Sequence, residues 1–92
     1  MDDIMDILDQ REEQYGNYRD VAKISQCIKM ALKIVHTDYN DGRLSYVQRE
    51  SLDMMATKMA RIVSSKGDNI DDWLDIEGYA RLVRNILERK NG

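Results

Sequence analysis

The chain has no proline and no phenylalanine, a single cysteine and a single histidine, and five glycines among its 92 residues. Each scarcity excludes something. Without proline, nothing breaks a helix by removing a backbone donor. Cys27 is the lone cysteine, so no intramolecular disulfide can form, and His36 is the lone imidazole. A zinc site or a Ser-His-Asp triad therefore has little to build with. No apolar run approaches the length that spans a membrane. The opening Met1-Asp2-Asp3-Ile4 has neither a basic n-region nor an apolar h-region, so no signal peptide is expected. There is no long basic run and the net charge is −3, which argues against nonspecific binding of DNA or RNA. Together these absences point to a cytoplasmic protein.

What is present is charge and aliphatic side chain, 34% charged and 42% hydrophobic residues. That balance fits a folded helical protein rather than a disordered one. A chain of this length makes one domain with a modest core. Oligomerisation, at least to a dimer, is the expected source of further burial.

The apolar spacing predicts an all-α fold over residues 1–92, a small bundle of one short and three longer helices. Met1, Ile4, Ile7 and Leu8 give the short first helix, ending near Glu13 with Gly16 at its C′ position. Asn17 caps a second helix over about 17–37, with Val21, Ile24, Ile28, Ala31, Leu32 and Val35 as its apolar face. A turn-rich link, Asp38 to Arg43, follows. Ser45 and Gln48 form a capping box for a third helix over about 45–64, whose core seam is Leu52, Met55, Met59 and Ile62. Asp68 or Asn69 caps a fourth, over about 69–89, with Ile70, Trp73, Ile76, Ala80, Val83 and Leu87 inward. Cys27 and Trp73 are expected in the core. Gly78 costs roughly 1 kcal/mol against alanine in mid-helix, and close approach of another helix is the expected reason, ahead of approach by a ligand.

Two helical stripes carry the chemistry. On the third helix Glu50, Met54, Lys58 and Arg61 share a face, and neither cation has an acid three or four positions away. On the fourth, Asp72, Asp75, Tyr79, Leu82 and Ile86 share a face. If the stripes meet, Lys58 and Arg61 can pair with Asp72 and Asp75 across the hairpin, as ordinary interhelix ion pairs do. The same cations could instead hold a phosphate, lysine as a point charge and arginine bidentately. Arg11 beside Tyr15-Gly16 adds a guanidinium next to an aromatic, and Tyr15, Trp73 and Tyr79 could stack on a base. Alternatively, Glu50, Asp53, Asp72 and Asp75 could hold Mg²⁺ for attack of water on a phosphoanhydride. That set resembles the paired acids of MazG-type nucleotide pyrophosphohydrolases, with aspartate at three of the four positions where the shorter side chain reaches less far.

Arg11-x-x-x-Tyr15-Gly16, Lys58-x-Ala60-Arg61 and Asp71-x-Trp73-x-Asp75-Ile76-x-Gly78-Tyr79-Ala80 are similar to a family of short phage and prophage helical proteins described only as a domain of unknown function. The similarity covers roughly residues 7 to 84. It implies a phage-encoded protein of the host cytoplasm, distantly related to the MazG-like scaffold. It also implies that the recurring positions are Arg11, Lys58, Arg61, Asp71, Asp75, Gly78 and Tyr79 rather than the Glu50/Asp53 pair.

The reading that follows is a non-catalytic, oligomeric, anti-defence protein that captures a small phosphate-bearing nucleotide, sequestering a host immune signal. Its ligand residues are Arg11, Tyr15, Lys58, Arg61, Asp75 and Tyr79, and no cofactor is needed. The alternatives are the Mg²⁺-dependent pyrophosphohydrolase on Glu50, Asp53, Asp72 and Asp75, and a protein-interaction module that docks a host factor through the apolar face of the first helix.

Overall fold

Capping side chains set where the helices begin and end. The computed structural model describes residues 3–32 and 44–91. It contains four helices, α1 (Asp3–Tyr15), α2 (Tyr18–Ala31), α3 (Tyr46–Ser64) and α4 (Ile70–Asn91). There are no strands among the described residues, so the fold is an all-α bundle. The Asn17 side chain accepts from the backbone N–H groups of Arg19 and Asp20, satisfying two donors that the first turn of α2 leaves over. At α3 the reciprocal box is complete. Ser45 Oγ accepts from Gln48 N at 3.2 Å, and Gln48 Oε1 accepts from Ser45 N at 2.8 Å. Asn69 rather than Asp68 caps α4, accepting from Asp71 N at 3.1 Å.

Helix α1 runs two residues past the expected end at Glu13, because Gly16 closes it by donating to the Glu12 carbonyl at 2.7 Å. Gly16 takes φ +89° and turns the chain into α2. The expected last turn of the second helix, through His36 or Thr37, and the link Asp38 to Arg43 lie outside the described residues.

α3 is the central helix, packed by α2 on one side and α4 on the other, with α1 resting lightly on it. The residues facing both neighbours are small or polar. Ala56, Ala60, Ser51 and Lys58 are buried, while Leu52, Met55 and Ile62 are half-buried and Met59 is exposed. The expected leucine–methionine seam is therefore not the centre of the core. Two alanines allow close approach of the neighbouring helices, and larger side chains are left at the rims.

The same shift appears on α2 and α4. Val21 and Ser25 are the buried residues of α2, and Ser25 Oγ lies 3.3 Å from Thr57 Oγ1 of α3. Lys29 crosses to Asp53 at 2.8 Å. Cys27 is exposed, not buried, because it stands about 100° round the helix from Ile28 and clear of the packed face. On α4 the inner face is Asp72, Ile76, Tyr79 and Val83. Trp73 is exposed rather than a core anchor, and its indole N–H donates to the Gly67 carbonyl at 2.8 Å, pinning the start of α4 to the preceding link. Ile70 also faces outward, and Ala80 is exposed at the rim of a hollow it shares with Ser51, Leu52 and Met55 of α3. Among the described residues nothing lies within 4 Å of where a Gly78 Cβ would stand, so close approach of another described helix does not explain it. No described helix is long and apolar enough to cross a membrane.

Candidate functional site

The α3–α4 hairpin brings the two charged stripes together. Lys58 Nζ lies 3.0 Å from Asp75 Oδ2, and Arg61 Nη1 lies 3.7 Å from Asp72 Oδ1. These are the cross-hairpin pairs that the helical spacing anticipates. They differ in kind. Asp75 is about half exposed, so its pair with Lys58 is screened by water. Asp72 is 1% exposed, and neither of its carboxylate oxygens has a hydrogen-bond partner.

Burial pushes the Asp72 carboxyl above its ordinary value, Arg61 and Lys58 pull it down, and Asp75 raises it further. The net direction is upward, so the folded chain holds this proton more tightly than the unfolded chain does. As pH rises from the ordinary aspartate range, the unfolded state releases the proton first and stability falls. The loss is complete once pH passes the folded value. Asp72→Asn removes this slope. In urea titrations at a series of pH values, the variant should gain on the parent as pH rises through that window.

Arg61 also faces the other way. Its guanidinium carbon sits 5.0 Å from the Tyr15 ring centroid, and that of Arg11 sits 5.4 Å from the same ring. One tyrosine thus engages two guanidinium groups from different helices, each in cation–π range. The elbow at Gly16 makes this possible. A Cβ there would stand 2.6 Å from both the Cβ and the carbonyl oxygen of Ser64. Only glycine lets the α1–α2 corner seat on the last turn of α3, one turn beyond Arg61.

Around this corner lies an open hollow of about 400 Å³ lined by Arg11, Glu12, Tyr15, Gly16, Asn17, Tyr18, Arg19, Val21 and Arg61. Its charged lining is three arginines against one glutamate, on a chain of net charge −3. Glu12 is occupied, accepting from Asn17 Nδ2 at 2.8 Å. Such a wall offers planar donors for an anion and aromatic faces for a ring.

Of the residues expected to bind a ligand, the structure gathers Arg11, Tyr15 and Arg61 at the hollow. Lys58 and Asp75 pair with each other on the α3–α4 seam, and Tyr79 is half-buried on the inner face of α4. None of these three lines the hollow. Asn17, Tyr18 and Arg19 do line it. Their signal in the sequence is plain in retrospect, since Tyr-Gly-Asn-Tyr-Arg continues directly from the Arg11/Tyr15 motif.

The four carboxylates of the metal reading are dispersed. Asp53 pairs with Lys29, Asp75 with Lys58 and Asp72 with Arg61, while Glu50 is exposed. Among the described residues, no three His, Cys, Asp or Glu side chains converge as a metal site requires. No protein-family model matches this chain, and no curated protein or solved structure does either.

Proposed function

We infer that the hollow at the α1–α2 elbow captures a small phosphate-bearing nucleotide without turning it over. The observation that carries this is the Tyr15 ring within cation–π range of both Arg11 and Arg61, on a wall that also bears Arg19 and Tyr18. Arginine forks suit a phosphate group, and a tyrosine face suits a base. The volume is that of a small-ligand cleft. Capture rather than hydrolysis is the reading preferred here, since three of the four acids proposed for a metal, Asp53, Asp72 and Asp75, are paired with cations. Withholding a signalling nucleotide in an infected cell is the biological setting suggested by the similarity to phage proteins.

The test is one incubation of the purified chain with linear and cyclic nucleotides and Mg²⁺, followed by filtration, denaturation and mass identification of both fractions. A nucleotide depleted from the filtrate and released intact is the expected result. Conversion to a monophosphate and pyrophosphate would refute capture and establish an enzyme. For the nucleotide so found, Tyr15→Ala should weaken binding by ~1–3 kcal/mol, the value of a lost stacking contact. Lys58→Gln should leave affinity unchanged, because Lys58 does not line the hollow.

A further inference from the structure

Along α4 runs a row of apolar residues that no other described residue covers. Ile70 is 70% exposed, Leu74 54%, Leu82 53% and Ile86 37%. They stand in an i+4 row with Gly78 at its centre, and the row reads the same in both directions. Leu74 and Leu82 lie four residues either side of Gly78, and Ile70 and Ile86 lie eight. No contact among the described residues accounts for this glycine.

We propose that α4 pairs with α4 of a second copy of this chain about a two-fold axis through Gly78. Two-fold symmetry requires a self-complementary surface, and a palindromic row supplies one. In the antiparallel pair Leu74 lies beside Leu82 of the second copy, while Ile70 and Ile86, turned about 80° to either side of Gly78, stand on the flanks. The glycine removes the side chain at the point of closest approach. Charge agrees with this direction. The first half of the helix carries Asp71, Asp72, Asp75 and Glu77, and the second carries Arg81, Arg84, Arg89 and Lys90 against one acid, Glu88. Glu77 and Arg81, a pair within each helix at 2.6 Å, fall on the flank that meets itself. Two antiparallel copies therefore set the acidic half of one helix beside the basic half of the other.

Sedimentation equilibrium of the full chain over the micromolar range tests the proposal. The parent should be a dimer. Leu74→Glu and Leu82→Lys should each weaken the dimer at least about tenfold, and the two changes in one chain should restore it, because each glutamate then meets a lysine of the other copy. Both positions are half exposed, so helix content by circular dichroism should stay at the parent level throughout. A monomeric parent, or single variants as dimeric as the parent, would overturn the assignment. A double variant no better than the singles would overturn the antiparallel register. Nucleotide capture is a separate reading, since no residue of the row lines the hollow.

Discussion

Gly16→Ala is expected to lower the unfolding free energy by about 3 kcal/mol, seen as a melting temperature lower by roughly 12–24 °C for a domain of this size. Two costs add. Alanine at φ +89° is strained by about 1–2 kcal/mol. Its methyl group would then stand 2.6 Å from Ser64 Cβ and from the Ser64 carbonyl oxygen. Relieving such overpacking typically costs 1–3 kcal/mol. The neighbour is partly backbone, so no rotamer change removes the clash. The chain's remaining escape is to lift α1 and the elbow from α3, which separates Tyr15 from Arg61 and dismantles the hollow. Ligand capture should therefore fall with stability. Gly78→Ala provides the reference of opposite sign in dilute, monomeric solution. Its methyl group meets open space within the chain, and the helix gains roughly 1 kcal/mol. Equal melting temperatures for the two variants would show that the elbow is not seated on Ser64.

The second large effect is expected at Arg61. Arg61→Ala leaves Asp72, 1% exposed and without a hydrogen-bond partner, facing no guanidinium. Breaking a buried pair by removing one partner typically costs about 3–5 kcal/mol. The expected loss here is nearer 2 kcal/mol, because the ion pair is long at 3.7 Å and the carboxyl can take up a proton. The loss should shrink as pH falls toward the ordinary aspartate range, where Asp72 is neutral in both variant and parent. The double variant Arg61→Ala, Asp72→Asn should recover most of it at neutral pH. Urea unfolding of the four proteins of this cycle, at neutral and acid pH, measures both statements. A pH-independent loss in Arg61→Ala would mean that the residue stabilises through its packing on Tyr15 and not through Asp72. In either event the hollow loses one of its three guanidinium groups.

These two positions join the scaffold to the site. Arg61 lies between a buried acid and a half-buried aromatic, so the charge it presents to a ligand is reduced by Asp72 whenever that group is ionised. Protonation of Asp72 should strengthen anion binding at Arg61 as well as the fold. The Lys58–Asp75 pair, by contrast, is closed on itself at 3.0 Å and faces water on one side. Its removal is expected to have a small effect, as for other partly exposed pairs.

The amino-acid sequence by itself determined the helical class and most caps, and it made the charge pairs across the hairpin one of two readings. Asn17, Ser45 with Gln48, and Gly16 act within one turn of chain, so their effect is legible without knowing what the helices touch. The spacing of Lys58 and Arg61 against Asp72 and Asp75 is equally local to each helix, and a short connection leaves the two stripes one way to meet. Which side of each helix is buried was decided only by the tertiary structure. Ala56, Ala60 and Ser25 outrank Met59, Cys27 and Trp73 at the centre because close helix approach favours small side chains. That distance is a property of the pair of helices and not of either one. The hollow is non-local in the same sense. Arg11 and Tyr15 belong to one helix and Arg61 to another far along the chain, and they meet because a glycine at positive φ seats the elbow against Ser64.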